Sequence, residues 1–322
     1  MSKITFAKAI GDALRNEMRR CPEVYLAGED VGFRGGDFGE DKGLWAEFGP
    51  GRVVDTPISE TAIIGHAVGA AACGLRPVVE IMHMDFIGVA MDEILNQASK
   101  MRYMFGGKTA VPMVIKTTAG GGVSAAAQHS QMLEALVAHI PGLKVVVPSD
   151  AEDAKGLLIA AIRDDNPVVF IAHKLLMAKK GEVPDEEYVV PIGKAKIRRE
   201  GKDVTLVSWS KMVLDTKAAA EELAEQGIDA EVINMHTIKP IDADLIVKSA
   251  TKTGHVVTVE EHSVIGGLGS AVADVLCEQC PTPLKKIGVN DTFGESGPGA
   301  ELLHKYGLDA ANIVATTKEF LA

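Results

Sequence analysis

The amino-acid sequence predicts an α/β protein of two parallel-sheet domains, and three observations carry that expectation. Short apolar, β-branched segments alternate with helical stretches along most of the chain, the pattern of a parallel sheet covered on both faces. At 322 residues the chain exceeds one domain of ordinary size. Residues 174–192, KLLMAKKGEVPDEEYVVPI, are charged, hold two prolines and lack clean periodicity, which marks a linker. The expected domains are 1–180 and 190–322.

The elements follow in order. Phe6, Ile10, Leu14 and Met18 recur at helical spacing and give an N-terminal amphipathic helix. VYLAGED (24–30) reads as a strand, residues 61–74 as a helix of small residues, and RPVVEIM (76–82) as a second strand. A helix is expected from about Val89 to Tyr103. VPMVIKT (111–117), LKVVVPS (143–149) and NPVVFIAH (166–173) are the next strands. Ser149 and Glu152 suggest a capping box for the helix between the last two. Beyond the linker, DVTLVSWS (203–210), AEVINMH (230–236) and GHVVTVEEH (254–262) are strands, with helices over 213–226 and 267–279. KPIDADLIVKSATKTG reads as a turn, a helix and a stop at Gly254.

Composition excludes some function classes. A net charge of -11 opposes nucleic acid as a partner, because phosphate contacts need clustered Lys and Arg. No run approaches the ~20 apolar residues of a membrane span, and the N-terminus has no apolar secretory core. A cytoplasmic location is expected. Cys21, Cys73, Cys277 and Cys280 are irregularly placed and imply no disulfide framework. One C-x-x-C pair, Cys277 and Cys280, cannot close a tetrahedral zinc site.

Several segments could carry chemistry. Gly266-Gly267-Leu268-Gly269-Ser270 follows a strand and opens a helix, but it lacks the full dinucleotide spacing. Close backbone packing is the better reading. The acidic stretch GEDVGFRGGDFGEDKG (28–43) has the wrong ligand spacing for calcium and reads as a mobile surface or interface loop. Glu60 follows a Pro-containing turn and begins the small-residue helix. Alone it is an ordinary favourable partner of the helix dipole. His129 follows the glycine-rich AGGGVSAAA segment, which could present it to a site.

Longer motifs sharpen this. DTPISE with GHAVGAAACGLRPVVEI and the later DF pair, AAAQHSQMLEALVAHIPGLKVVVPSDAEDAKGLLIAAIRDDNPVVF, and the stretch from VSWS to VEEHSVIGGLGSAV together span nearly the whole chain. They resemble the β subunits of thiamine-diphosphate-dependent 2-oxo acid and acetoin dehydrogenases, a transketolase-like family. The resemblance implies an N-terminal pyrimidine-binding domain and a transketolase C-terminal-like domain. It implies that Glu60 bonds the aminopyrimidine ring nitrogen and so helps the exocyclic amine deprotonate the thiazolium carbon. It places Ile58, Met82 and Phe86 around the pyrimidine, where relatives often carry Gln and Tyr at the last two positions. It puts His129 at the cofactor's reactive end, assisting protonation or acyl transfer. His83 sits where relatives often carry an apolar residue. Some relatives hold a potassium ion, for which the backbone oxygens of Met113, Ala161 and Ile162, with Asp164 and Asn166, are the matching positions. A turn capped by Asp164 explains the same residues.

The family holds the cofactor's diphosphate through Mg²⁺ with a GDG motif and a later pair of Asn, and no GDG occurs in this chain. The resemblance therefore implies a partner α chain carrying the diphosphate and Mg²⁺ site, in a tetramer of two α and two β chains. It also implies a lipoyl-bearing dihydrolipoyl acyltransferase as acceptor. The segments MHMDFIGVAMDEI and KMRYMFGGKTAVPM look somewhat more like acetoin-type than branched-chain enzymes. Two other readings stay open: the C-terminal half of a split transketolase-like enzyme acting on sugars, and a scaffold that docks other components.

Overall fold

The computed structural model describes residues 1–322. The chain divides into two compact units, Met1–Ala119 with Leu136–Ile192, and Gly120–Ala135 with Gly193–Ala322. Residues 120–135 belong by packing to the second unit.

In the first unit the strands are β1 (Ser2–Thr5), β2 (Val24–Gly28), β3 (Val53–Asp55), β4 (Arg76–His83), β5 (Val114–Ala119), β6 (Lys144–Val146), β7 (Val168–His173) and β8 (Lys180–Val183). The helices are α1 (Phe6–Arg20), α2 (Leu44–Phe48), α3 (Glu60–Ala72), α4 (Met101–Met104) and α6 (Ala151–Arg163), while α5 (Glu134–His139) contains the division point. Strands β2 to β7 are parallel and lie in the order β3-β2-β4-β5-β7-β6. The expected stripe of α1 is fully buried: Phe6, Ile10, Leu14 and Met18 are at most 1% exposed. It packs on α6, where Arg163 donates to the buried Glu17 carboxylate at 2.6 Å.

Several expectations are corrected here. The single helix expected over 89–103 is a 3₁₀ stretch (Met84–Ala90), a π turn (Glu93–Ala98) and the short α4. Ser99 N–H reaches five residues back to the Ile94 carbonyl at 3.1 Å. That wider turn keeps Ile94 and Ala98 on the buried side, so apolar spacing alone imitates a regular helix. Strand β5 starts at Val114 and not at 111, since Pro112 has no N–H to pair. The cap of α6 is Asp150, which accepts Asp153 N–H at 2.9 Å, and the Ser149 hydroxyl donates to the Asp153 carboxylate at 2.8 Å. Residues 174–192 are not a free linker. β8 pairs antiparallel with β1, and Tyr188 docks on α6 through its hydroxyl to the Glu152 carbonyl at 2.8 Å.

The acidic stretch 28–43 is no mobile surface loop either. Glu40 is 3% exposed and Asp41 is 0% exposed. Both surround the ammonium of Lys116 on β5, together with Glu80 from β4. Lys116 donates to the two Asp41 oxygens at 3.1 and 3.0 Å. Burial raises the Glu80 and Asp41 carboxyls above their ordinary range, while the three carboxylates raise the lysine. The cation thus holds the loop onto the sheet.

In the second unit, β9 (Lys196–Arg199), β10 (Val204–Ser208), β11 (Ala230–Asn234), β12 (Thr237–Lys239), β13 (Val256–Ser263) and β14 (Leu284–Val289) accompany helices α7 (Met212–Glu225), α8 (Ala243–Thr253), α9 (Leu268–Gln279), α10 (Gly299–Lys305) and α11 (Ala310–Leu321). The main sheet runs β14-β13-β10-β11-β9, parallel except for the edge strand β9. The Gly266–Ser270 loop is filled from within. The buried Glu260 carboxylate accepts Leu268 N–H at 2.7 Å and Gly269 N–H at 2.8 Å, capping α9. A Cβ on Gly267 would stand 2.1 Å from the same carboxylate. A dinucleotide phosphate has no place there, and close packing is the correct reading.

Near this cap Glu134 is 0% exposed. Apart from its own backbone amide, no group of the chain reaches its carboxyl oxygens. Burial, then the nearby Glu260 and Glu261, push its pKa up to about 8.

Two outcomes follow. Lys116→Met leaves buried carboxylates without their cation and should destabilise the protein by about 3–5 kcal/mol in denaturant melts; removing Glu80 as well, as Glu80→Leu, should restore part of the loss. For Glu134, the folded protein keeps a proton that the unfolded chain releases above pH 4.5. Its contribution is therefore present at low pH and is lost as pH rises from 4.5 towards 8. Glu134→Gln should flatten the melting temperature over that window, and an unchanged slope would contradict the assignment.

Candidate functional site

A parallel open sheet binds ligands beyond the carboxyl ends of its strands, where the strand order reverses. In the first unit that point lies between β2 and β4, because the chain goes from β2 to β3 on one side and then to β4 on the other. Glu29 directly follows β2, the segment leading to Glu60 follows β3, and Met82 and His83 end β4.

Local hydrogen bonds fix the approach to Glu60. The Asp55 carboxylate, at the end of β3, accepts Gly32 N–H at 2.6 Å and Phe33 N–H at 3.2 Å. Thr56 N–H donates to the Gly28 carbonyl at 2.9 Å. The loops after β2 and β3 are thereby tied together. Ser59 closes the following turn by donating its hydroxyl to the Pro57 carbonyl at 3.1 Å, and Glu60 is then the first residue of α3. A carboxylate there meets the positive end of the helix dipole.

Glu60 is half-buried in an open cleft of ≈ 690 Å³ whose walls include Ile58, Thr61, Gly65, His66 and Glu93. Small residues make this space. A Cβ on Gly65 would stand 3.4 Å from the Glu93 carboxyl carbon. The Thr61 hydroxyl donates to the Val89 carbonyl at 2.8 Å and fixes α3 against the 3₁₀ stretch. Glu29 lies in the acidic stretch 28–43, and sequence reasoning missed it as a site candidate. Burial first, and then the charges of Glu60 and Asp30, push its carboxyl above the ordinary range. Its position directly after β2, at the reversal of strand order, is the signal that could have found it.

The structure brings Ile58 and Glu60 together on this cleft, with Ile58 81% exposed. Met82 and Phe86 are not among its walls. Both are half-buried, Met82 at the end of β4 and Phe86 in the 3₁₀ stretch. The β4–β5 register shifts between Ile81 and His83, which re-aims the side chains at that point. His83 is half-buried; its Nδ1 lies 3.3 Å from the Thr118 hydroxyl and its ring is tilted at 6.4 Å from Phe86.

His129 ends a short 3₁₀ turn, Ala127–His129, in the second unit. The five expected potassium positions form a tight turn region. Arg76 donates to the Ile162 carbonyl at 3.0 Å and to the Asp164 carbonyl at 3.2 Å. The Asp164 carboxylate caps Asn166 N–H at 2.9 Å and pairs with Lys144. Met113 and Ala161 carbonyls accept Val168 and Asp164 N–H groups at 3.0 and 3.3 Å. All four cysteines are free thiols.

Residues 2–180 match the transketolase pyrimidine-binding domain and residues 193–313 match the transketolase C-terminal domain. The chain is 47% identical over 293 residues to the Cupriavidus necator acetoin:2,6-dichlorophenolindophenol oxidoreductase subunit beta, covering 88% of this chain and 86% of that protein. It is 43% identical to the Staphylococcus epidermidis pyruvate dehydrogenase E1 component subunit beta, over 91% of this chain and 92% of that one. A solved structure described as a split gene transketolase, inactive beta4 tetramer, superposes with a TM-score of 0.84 at 34% identity, covering 99% and 98% of the two chains. Built from both transketolase-type domains, this chain belongs to the family of β subunits of the thiamine-dependent 2-oxo acid and acetoin dehydrogenases.

Proposed function

We propose that this chain is one half of a thiamine-diphosphate site, working with an α subunit to cleave a 2-oxo acid or acetoin beside its carbonyl. The acyl group then passes to the lipoyl group of a dihydrolipoyl acyltransferase. The observation that carries this is Glu60 at the head of α3, in an open cleft at the reversal point of a parallel sheet, in a chain without the GDG motif.

The residues present suit the pyrimidine end of the cofactor. A half-buried carboxylate on a helix start meets a ring nitrogen that must exchange a proton. Ile58 supplies an apolar edge of the cleft, and Met82, near the end of β4, and Phe86, in the 3₁₀ stretch, would have to approach the ring from outside its walls. When bound, thiamine diphosphate supplies the carbon nucleophile at its thiazolium ring. Glu60 is the residue that would share a proton with the aminopyrimidine nitrogen. Burial, and then the charges of Glu60 and Asp30, raise the Glu29 carboxyl above its ordinary range beside this site. His129 protonates or orients the reacting group at the other end.

The diphosphate and Mg²⁺ would be held by the α chain. Ala62, Gly69, Ala72 and Cys73 of the α3 segment are exposed, and their small size lets another backbone approach closely. Two α and two β chains fit this half-site logic. Potassium would use the backbone oxygens of Met113, Ala161 and Ile162, with Asp164 and Asn166, next to the Arg76 guanidinium that already donates to the Ile162 and Asp164 carbonyls. No helix is long and apolar enough to cross a membrane; we place the complex in the cytoplasm. A split transketolase is the second reading, favoured by the fold match at 34% identity.

Assembled with its α subunit, Glu60→Gln should keep the size of the complex in gel filtration and lose turnover by about 100-fold or more. Unchanged turnover would remove Glu60 from the chemistry. Pyruvate, branched-chain oxo acids and acetoin, each with an artificial electron acceptor, should give reduction, whereas ketol transfer between sugars without electron transfer would establish the second reading.

A further inference from the structure

The segment that carries His129 is held in an unfavourable conformation. Ser124 and Ala126 have φ of 57° and 61°, in the left-handed region that non-glycine residues avoid. Such backbone persists only where its surroundings over-determine it. Gly120 N–H closes the loop by donating to the Gln131 carbonyl at 3.3 Å, and the Ser130 hydroxyl donates to the Ala126 carbonyl at 2.6 Å. These bonds lie within the loop and do not fix it in space.

One anchor comes from β13. Glu261 is 8% exposed, and its Oε1 accepts Gly121 N–H at 2.7 Å. A Cβ on Gly121 would stand 3.3 Å from that oxygen, so the bond itself favours glycine there. One residue on, the backbone of Gly122 touches that of Gly299, where a Cβ would stand 2.6 Å away. At the far end of the segment the buried Glu134 faces Glu260 and Glu261. A neutral Glu134 spares Glu261 a second buried negative charge.

We propose that Glu261 is a positioning residue for His129: its carboxylate pins the strained 120–131 loop through the Gly121 amide and so sets where the imidazole stands. The proposal rests on the reading of His129 given above, since a catalytic imidazole has to be held to within a fraction of an ångström of its working place. The consequence is a role for the second glutamate of the VEEH segment that differs from the first. Glu260 caps α9, and Glu261 serves the loop.

The test uses the complex assembled with the α subunit. Glu261→Leu removes the acceptor and should lower kcat by about 10- to 100-fold. KM for the oxo acid should change little. Glu261→Gln keeps an oxygen for the Gly121 amide and should lose no more than about 3-fold. Gly121→Ala, a milder probe in case the leucine variant fails to fold, should fall between them. Hydrogen exchange across 120–131 should rise in Glu261→Leu while that of β10 and β11 stays unchanged. In a double-variant cycle, Glu261→Leu should add nothing to the loss caused by His129→Ala. If the two losses multiply instead, or if exchange of the loop is unaltered, the proposal is overturned while the reading of His129 stands. If His129→Ala alone leaves kcat intact, the reading of His129 falls, and the positioning role with it.

Discussion

The first unit depends on one buried cation. Lys116 projects from a central strand into a space lined by Glu80 of the neighbouring strand and by Glu40 and Asp41 of a long loop. Leaving a charge in a low-dielectric interior without a partner costs several kcal/mol, so the lysine and the acidic loop require one another. The same loop contains Gly32 and Phe33, whose amides hold Asp55 at the end of β3. Asp55 begins the turn that delivers Glu60 to the head of α3. A chain of polar contacts thus runs from a buried lysine to the carboxylate at the cleft. Loop and sheet cannot separate without exposing unpaired charge.

Carboxylates do different work elsewhere in the chain, and environment decides which. Glu260 is pushed up by burial, to about 7, but it accepts two backbone amides that lower it, and its carboxyl group already fills the space at the helix start that could take a phosphate. Glu134 is buried without such donors, and burial drives it to the neutral acid. Glu29 directly follows β2, and burial, then the charges of Glu60 and Asp30, raise its carboxyl above the ordinary range. The residue type is the same in each case; the number of donors reaching it differs.

Much of the fold was legible from pattern. The apolar stripe of α1 and the small-residue composition of α3 follow directly from residue spacing and size, and both helices form where expected. The expected strands match β2, β4, β5, β6, β7, β10, β11 and β13 to within a few residues at their ends, because apolar runs continue past the point where ladder pairing stops, whereas β1, β3, β8, β9, β12 and β14 were not expected. The break between Met84 and Met104 was illegible, since a π turn preserves a one-sided apolar face while changing the backbone. The strap over 174–192 was misread because its order comes from pairing with the distant β1.

For the site, sequence by itself determined the family, the presence of Glu60 at a helix start, and the lack of a diphosphate motif. These are properties of short, contiguous stretches, which one strand–turn–helix encodes locally. Tertiary structure decided the rest. It placed Glu29 beside Glu60, turned the acidic loop inward onto Lys116, filled the glycine-rich loop with Glu260 and joined the His129 segment to Glu261. Each of these pairs residues far apart in the chain. Their chemistry is set by desolvation and by neighbouring charge, quantities that exist only once the chain has packed.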